Sequence, residues 1–571
     1  MIEQASLIIG DGNWAVKSDS LLGYALPQGK YTPREMTFTR ATTGTRVNAA
    51  GLVEVVPYNF ALWSEQFENA EWVTTGVVVS SNVEISPSGK LNADKLAPLS
   101  GNAIRSSNLI PISNNTTYTW SVYVKNAGAR YVNFTAWTSD DPITVYDLDL
   151  VLVVYESGPA HTSTIQDVGN GWRRITITRT STSTSAWVLL RLLATPATPP
   201  TNGIDGTYVW GAQLVEGTQP LTYLPTTTRL NIPRIDYSTG SATLLVETQR
   251  TNLALRSEDF NNGSWTKSGA TVTSDSIVSP SGIQNADTIT QSGGTLNINQ
   301  TITISSVGNY TYTVYLKKGN FDSSTLFRFG AFQGGDLGYI IFDFNTNTTS
   351  VISGTIISHS STSVGNGWYR IQYTINIPAI GAVLFYNGGV GGSIGVGNFF
   401  YSWGAQLEAG PCATSYIPTT SASVTRNADA FTRTNFQASG LLTATKNTFF
   451  FDINAIGATG SNYHFFKFTA TSGFDISVWR FVGNQNWNIQ LNGVFINTGV
   501  SNGKFAVVQD GSQTKFFING VLNTTTGATG TINSIDSFIG LYQLASPSFI
   551  KALAIYPEVL TDAECIALTT P

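Results

Sequence analysis

Charged residues are scarce in this chain. They make up 12% of its 571 residues, about half of the ~25% that is usual for soluble domains. Threonine, serine, asparagine and 54 glycines carry the polarity instead. Because the residues that favour helices, such as lysine and glutamate, are rare, this composition is typical of all-β proteins with many turns. The net charge of −5 and the lack of a Lys/Arg cluster argue against nucleic-acid binding.

Cysteine and histidine are also rare. The two cysteines, Cys412 and Cys565, lie far apart in the sequence, so we expect neither a disulfide framework nor a cysteine-based metal site. The three histidines are not spaced as metal ligands. No Ser/His/Asp set within one part of the chain has a spacing that indicates a catalytic triad. We therefore assign no cofactor with certainty at this point and predict no nucleophilic active site.

Long apolar runs are absent as well. No stretch of 18 apolar residues occurs, and the first ten residues lack the basic region of a standard export signal. We therefore expect a protein that neither spans a membrane nor is exported by such a signal. Disorder is not expected, because 30 Phe, 23 Tyr and 13 Trp supply more aromatic surface than an unfolded chain carries.

An internal repeat organises the first three quarters of the chain. Asn59–Phe67 matches Asn252–Phe260, and the motif Trp-Gly-Ala-Gln-Leu occurs at 210–214 and again at 403–407; both pairs are 193 positions apart. Further landmarks follow at nearly the same offset, among them Ser-Pro-Ser-Gly at 86–89 and 279–282. The sequence thus contains a tandem duplication of one module.

Each module reads as one short strand after another. Alternating apolar and polar residues occur at 117–124 and 311–316, and again after the Gly-Asn-Gly turns at 169–171 and 365–367. No long amphipathic helix interrupts them. We predict an all-β fold in which each module is an antiparallel β-sandwich of the jelly-roll type.

The repeated pattern Asn-x-Ala-Leu-x-Ser-Glu-x-Phe, closing on Trp-Gly-Ala-Gln-Leu, resembles the carbohydrate-binding-module-like jelly rolls of phage structural proteins. The stretches 37–52 and 233–252 also resemble segments of those proteins, where the two often lie close in sequence. Here a whole module separates them. We therefore infer that the first module was inserted and that the two stretches still pack together.

The last 140 residues have a different pattern. Asn492-Gly493 and Asn519-Gly520 predict type I′ hairpins, and Thr561 with Glu564 has the spacing of a helix capping box. Together with a closing strand at 550–557, followed by one short helix, this order resembles the laminin-G/concanavalin-A-like lectin sandwich. Such sandwiches often hold structural calcium. Asp94 and Asp287 recur in Asn-Ala-Asp, but one carboxylate is not a site, so calcium is considered without naming ligands.

The resulting domain prediction has five parts. They are a leader that anchors the chain or trims the first module (1–50), module 1 (51–228), a linker (229–250), module 2 (251–430) and a concanavalin-A/laminin-G-like lectin domain (431–571).

One group of acidic residues could act in catalysis as paired carboxylates or could form an exposed face of one turn. Glu65, Glu68 and Glu71 lie at helical spacing beside Phe67 and Trp72. Two such residues suffice for glycoside hydrolysis. An exposed face of one turn is the interpretation we favour, and we predict that the protein is not an enzyme.

Glycan binding needs aromatic faces for sugar C–H patches and amides for hydroxyls. Within the C-terminal domain the candidates are Trp479, Trp487, Tyr463 and Asn488, with sandwich core as the alternative for each aromatic residue. The tryptophans that recur in both modules are expected in cores (Trp72, Trp172, Trp210, Trp265, Trp368, Trp403). Trp137 and Trp187 are not repeated and are better candidates for a function specific to module 1.

The leading hypothesis is a bacteriophage fibre or spike, on head or tail, at the virion surface. An extracellular composition without an export signal fits a part assembled in the host cytoplasm. Its expected partners are other virion proteins, surface glycans and further copies of itself, because low charge predicts covered surface in a homotrimer or homodimer. The alternatives are a capsid or tail decoration without ligand and, third, a polysaccharide depolymerase.

Overall fold

The computed structural model describes most of the chain. The residues outside its description are 1–4, 11–14, 18–19, 26–31, 41, 57, 107–108, 113, 115, 137–141, 222, 228–232, 322–325, 391–393, 434–439, 456–462, 470–474, 481–485, 492–493, 501, 528–536 and 541–547. The chain forms two compact units. One comprises Met1–Val16, Ser20–Val56 and Pro233–Pro571, and the other comprises Lys17–Asp19 and Pro57–Ile232.

Module 1 lies in the second unit and is built from antiparallel strands. In spatial order its main sheet contains Leu152–Ser157, Ile143–Asp147, Tyr131–Ala136, Val188–Leu193, Leu91–Ser106, Gly206–Glu216, Thr117–Ala127, Trp172–Thr180 and Thr162–Gly169. Trp72–Ile85 pairs along Leu91–Ser106, and Ile110–Pro111 pairs with Ser185–Ala186. The long strand Leu91–Ser106 contacts both Val188–Leu193 and Gly206–Glu216, so it joins two layers around one core.

Module 2 repeats this design as two six-stranded sheets. The first contains Thr266–Ser268, Asn297–Ile304, Gly381–Val390, Leu326–Phe332, Asp336–Asp343 and Thr348–Gly354; the second contains Ala270–Val278, Gln284–Gln291, Phe399–Ala409, Gly308–Lys317, Trp368–Ile377 and Ile356–Ser363. Aliphatic and aromatic side chains fill the space between them. The all-β, antiparallel prediction is confirmed in both modules.

The repeated asparagine explains why its motif was retained. Asn59 Nδ2 donates to the carbonyls of Ala212 and Leu224, and its Oδ1 accepts from the amides of Ala61 and Leu214. The second copy, Asn252, makes the same four hydrogen bonds 193 positions later. Each module therefore closes by fastening its first segment to its last strand through one buried amide.

The C-terminal sandwich takes strands from several parts of the chain. They are Leu7–Gly10, Ala15–Lys17, Ser20–Ala25, Thr32–Thr39, Arg234–Asp236, Thr243–Val246, Ala430–Arg433, Asn447–Ala455, Tyr463–Thr469, Asp475–Arg480, Trp487–Leu491, Val494–Asn497, Asn502–Gln509, Thr514–Ile518, Val521–Thr526, Ser537–Gly540 and Ser548–Tyr556. They form one continuous hydrogen-bonded set. Two short ladders complete the unit, Thr45–Val47 with Val53–Val55 and Arg250–Asn252 with Val424–Arg426.

Alternation along one strand builds two cores in this sandwich. Phe449 and Phe451 point into the main core, whereas Phe450 points to the opposite face. There it is covered by the helix Asp562–Thr569, the only helix among the described residues. Thr561 and Glu564 form the predicted capping box, and Asn519 and Gly520 adopt the positive φ of the predicted hairpin turn. The second predicted turn, Asn492-Gly493, lies outside the described residues.

The stretches predicted as leader and linker contribute strands to this sandwich. Leu7–Gly10 and Thr243–Val246 both pair with Ser548–Tyr556, one beyond the other. We therefore describe them as sheet strands in place of a leader and a linker. The apolar residues of Leu7–Gly10 and Thr243–Val246 are buried, which neither a free anchor nor a linker would require.

The inferred packing of 37–52 against 233–252 is confirmed. The amide of Val47 donates to Asp236 at 2.7 Å, and the amide of Tyr237 donates back to the carbonyl of Val47 at 2.9 Å. Residues on either side of module 1 in the sequence are therefore neighbours within one unit, as an insertion between them requires.

A buried ion cluster holds these segments. It consists of Arg40, Arg234, Arg426, Glu247 and Asp429, whose side chains are at most 1% exposed. Arg234 bridges both carboxylates, lying 2.6 Å from Glu247, while Arg40 bonds Asp429 at 2.8 Å. Burial would raise the pKa of Glu247, but Arg426 and Arg234 outweigh it and lower that pKa to about 2. The cluster joins four sequence segments through charge-assisted hydrogen bonds.

Among the described residues, no helix is both long and apolar enough to cross a membrane.

Candidate functional site

A row of polar and aromatic side chains crosses the C-terminal sandwich. Trp479 lies opposite Asn488 in the strand register, and Asn488 lies opposite Asn497. Residues paired in this way share one face of a sheet. Their sequence neighbours Val478, Ile489 and Ile496 point into the core. Alternation therefore directs the outer row, defined as Trp479, Asn488 and Asn497, away from the core.

The members of the outer row differ in exposure and in their hydrogen bonds. Trp479 is half-buried, Asn497 is exposed and Asn488 is 6% exposed. Asn488 Nδ2 donates to the carbonyl of Asn486 at 3.0 Å, and Asn497 Oδ1 accepts from the amide of Gly499 at 2.8 Å. The row thus presents an indole ring and the exposed amide of Asn497, with the buried amide of Asn488 held by the backbone between them. This is the kind of surface that contacts a sugar ring and its hydroxyls.

Two of the four predicted glycan contacts need separate comment. Trp487 is fully buried in the main core, so a ligand cannot reach its ring. The prediction that it contacts a glycan is wrong, and Trp487 is a core residue. Strand alternation is the reason, because Trp487 and Asn488 are sequence neighbours and must face opposite sides. The side chain of Tyr463 lies outside the described part, although its backbone pairs with Arg480. The structure therefore brings only Trp479 and Asn488 together.

The tryptophans repeated in both modules are all buried, as predicted. Four of them, however, form clusters separate from the main cores. Trp172 and Trp210 lie with Ala93 in module 1, and Trp368 and Trp403 lie with Ala286 in module 2. In each cluster two tyrosines complete the contact, Tyr123 and Tyr223 in the first and Tyr315 and Tyr416 in the second. We call these clusters the aromatic faces of the modules.

Glycine in the Trp-Gly-Ala-Gln-Leu motif shapes each aromatic face. Gly211 and Gly404 have φ of +65° and +66°, at points where the strand register shifts by a bulge. A Cβ at Gly211 would lie 3.0 Å from the ring of Tyr123, and one at Gly404 would lie 2.9 Å from Tyr315. Only glycine permits both this backbone and the close approach of the rings. The recurrence of the motif is the sequence signal for these residues, but it does not reveal whether their rings join the main core or a separate cluster.

Glu65, one of the carboxylates considered for catalysis, has a hydrogen-bond partner that recurs in module 2. Glu65 accepts a hydrogen bond from Asn92 at 2.8 Å, and its counterpart Glu258 accepts one from Asn285 at 2.7 Å. Burial raises the pKa of Glu258 to about 7, although hydrogen bonds from Tyr416 and Asn285 act in the opposite direction. Glu65, Glu68 and Glu71 lie on consecutive turns, not on a helix.

Asp94 and Asp287 do not fit an open cation site. Both carboxylate oxygens of Asp94 accept backbone amides, from Phe67 at 2.9 Å and from Asn82 at 2.9 Å. Asp287 repeats the pattern, and burial raises the pKa of each carboxyl to about 6. In the part of the chain that the structure describes, no three His, Cys, Asp or Glu side chains are grouped for a metal ion. Calcium remains a prediction without assigned ligands.

The two residues expected to serve module 1 alone give little further information. Trp187 is half-buried and directly precedes the strand Val188–Leu193. Trp137 lies outside the described residues. The two cysteines, Cys412 and Cys565, are both buried.

Comparison with known proteins gives distant structural matches. No family model matches the chain, and no curated protein matches it significantly. One solved structure is the N-terminal CBM22-1-CBM22-2 tandem domain of Xyn10C from Paenibacillus barcinonensis, at 13% identity and a TM-score of 0.23, covering 62% of this chain and 97% of that one. Another is the LG1-3 region of the laminin alpha2 chain, at 11% identity and a TM-score of 0.12, covering 81% of this chain and 96% of that one. At such TM-scores neither match supports a statement about ligands.

Proposed function

We propose that the protein is a non-enzymatic glycan-binding protein and that the outer row of the C-terminal sandwich contacts the sugar. The observation that carries this proposal is the cross-strand register of Trp479, Asn488 and Asn497 on the face away from the core. The indole ring of Trp479 offers a C–H binding face, and the exposed amide of Asn497 offers hydrogen bonds to hydroxyls, while the buried Asn488 lies between them.

The absence of catalysis is part of the proposal. It is supported by the hydrogen-bond partners of acidic groups in the two modules. Glu65, one of the residues considered for catalysis, accepts a hydrogen bond from Asn92. The oxygens of Asp94 and Asp287 accept backbone amides, and Glu258 bonds Asn285 and Tyr416. These groups position loops of the modules, and a hydrolytic carboxylate would need access to a substrate instead.

We further propose that the protein forms a fibre or spike on a bacteriophage particle, as a homotrimer or homodimer beside other virion proteins. Support comes from the sequence pattern of the modules and from the low content of charged residues, 12%. Electron cryo-microscopy of the particle tests the location. A projecting, symmetric position with a free C-terminal sandwich agrees with the proposal. A flat position with the C-terminal sandwich buried would replace it with the ligand-free decoration.

A glycan array probed with the full chain tests the binding site. The hits are then measured by titration calorimetry with Trp479→Ala and with the control Trp187→Ala, which removes another half-buried tryptophan. We expect Trp479→Ala to weaken binding by about tenfold or more, because aromatic anchors dominate such contacts. Trp187→Ala should leave the affinity unchanged. Equal affinities for both variants would refute the assignment of the site.

A further inference from the structure

The aromatic faces of the two modules are duplicates, but among the described residues only the face of module 2 is covered by a short β-hairpin of its own unit. This hairpin, Thr45–Val55, lays Val47 and Val53 against Tyr315, Trp403 and Tyr416. The contact leaves Tyr315 and Tyr416 each 3% exposed. Tyr123 and Tyr223, the equivalent residues of module 1, are half-buried.

Polar contacts fix the hairpin on module 2. The amide of Val53 donates to the carbonyl of Pro280 at 3.0 Å, and the hydroxyl of Thr45 donates to the carbonyl of Tyr416. Leu52 fills the space above the Ser-Pro-Ser-Gly turn, where a Cβ at Gly282 would lie 2.9 Å from its side chain. The duplicated turn of module 1 has that space open, since a Cβ at Gly89 would meet no heavy atom within 4 Å among the described residues.

We propose that the aromatic face of module 1 is a docking site for a β-hairpin of another protein. The hairpin must present β-branched apolar side chains, as Val47 and Val53 do, and a main-chain amide for the carbonyl of Pro87. The duplicate face shows that this architecture accepts such a hairpin. Main-chain hydrogen bonds combined with apolar side chains in pockets are an established mode of peptide recognition.

The hairpin of a second copy is a poor occupant, because its own unit retains it. Asp236 accepts the amide of Val47, and Arg234 donates to the carbonyl of Thr45 at 3.0 Å. Exchange between copies would break these bonds. The partner is therefore a different polypeptide with a hairpin of the same chemistry.

One position separates the two aromatic faces and provides a sharp test. Ile277 packs at the edge of the face in module 2. Its counterpart in module 1 is Glu84, which forms an ion pair with Lys125 at 3.3 Å. Substituting Glu84→Ile makes the first face resemble the second. It adds apolar contact area for a hairpin, and it changes no residue of the main core.

The experiment uses the full chain and a head-to-tail cyclised peptide with the sequence of residues 45–55. We expect saturable one-to-one binding in calorimetry, weakened about tenfold or more by Tyr123→Ala and strengthened about fivefold by Glu84→Ile. Tyr155→Ala, which removes a tyrosine 53% exposed elsewhere in module 1, is the matched control and should change nothing. A peptide with Val47 and Val53 replaced by serine should not bind.

Several results would overturn the proposal. They are no binding of the cyclic peptide, binding that neither Tyr123→Ala nor Glu84→Ile changes, and binding of an oligosaccharide in its place that Tyr123→Ala abolishes. The last result would assign a sugar to this face. None of these outcomes depends on the outer row of the C-terminal sandwich, so the glycan proposal stands or falls separately.

Discussion

Replacing Arg234 by alanine is expected to destabilise the packing of the segments that flank module 1 in the sequence. Arg234 donates to Glu247 at 2.6 Å, to Ser415 at 2.7 Å and to the carbonyl of Thr45 at 3.0 Å, and it also bonds Asp429. Its loss leaves two fully buried carboxylates with fewer donors and creates a cavity. Removing one partner of a buried ion pair typically costs about 3–5 kcal/mol.

The matched control is Arg46→Ala. Arg46 lies in the hairpin that Arg234 contacts at Thr45, and it pairs with Glu54 at 2.8 Å, but these side chains are 24% and 30% exposed. Surface pairs contribute about 0–1 kcal/mol, so this substitution should be nearly silent. The comparison separates the effect of burial from the effect of removing an arginine.

Hydrogen exchange detected by mass spectrometry is the appropriate assay, because a chain with two units need not unfold in one step. With Arg234→Ala, amides of 234–247 and 45–56 should exchange about 10²- to 10³-fold faster, since about 1.4 kcal/mol corresponds to a factor of ten. Amides of module 1 should keep their protection. Equal exchange in the Arg234→Ala and Arg46→Ala proteins would show that the ion cluster does not hold these segments together.

Three further predictions concern backbone, pH and insertion. Gly211→Ala and Gly404→Ala should each lower stability by about 1–3 kcal/mol in thermal unfolding, because the new Cβ meets a tyrosine ring; Gly263→Ala, with open space and ordinary φ, should not. The melting temperature should fall on both sides of an optimum. Glu247, with its lowered pKa of about 2, contributes stability above its usual value of 4.5 that is lost as pH falls towards 2. Asp287 and Glu258 have raised pKa values of about 6 and 7, and they contribute stability at pH values below the usual pKa of each group. This stability is lost as the pH rises through 6 to 7. Glu258→Gln should flatten the high-pH side of the profile, and an unchanged profile would contradict the assignment. Replacing Pro57–Ile232 by a short Gly/Ser linker should leave a folded protein with native circular dichroism, because the flanking segments already bond through Val47 and Asp236; loss of cooperative unfolding would contradict the insertion.

Local sequence patterns predicted the features that depend on neighbouring residues. The capping box at Thr561 and the turn at Asn519 need only residues within one turn, and both appear as expected. The duplication predicted burial of the repeated tryptophans because it compares two copies of one environment. For these features the chain itself holds enough information.

Features built from distant segments could not be predicted in this way. Arginine is usually exposed, so nothing local marks Arg40, Arg234 and Arg426 as members of a buried ion cluster. Trp487 and Asn488 point to opposite sides of their strand, and the sequence alone does not show which of the two side chains points into the core. The packing of the opposite sheet decides this. The strand Leu7–Gly10 pairs with residues more than 500 positions away, so its place in the sheet has no local signature.

The most direct test of the account is to follow binding and cleavage of the same glycan in one reaction. The protein is incubated with a polysaccharide identified on the array, and retention of the chain and release of reducing ends are measured together. We expect saturable binding with the polysaccharide recovered at full length, and loss of binding with Trp479→Ala. Release of reducing ends that increases with time and protein concentration would contradict the proposed function, because the protein would then contain a reactive centre.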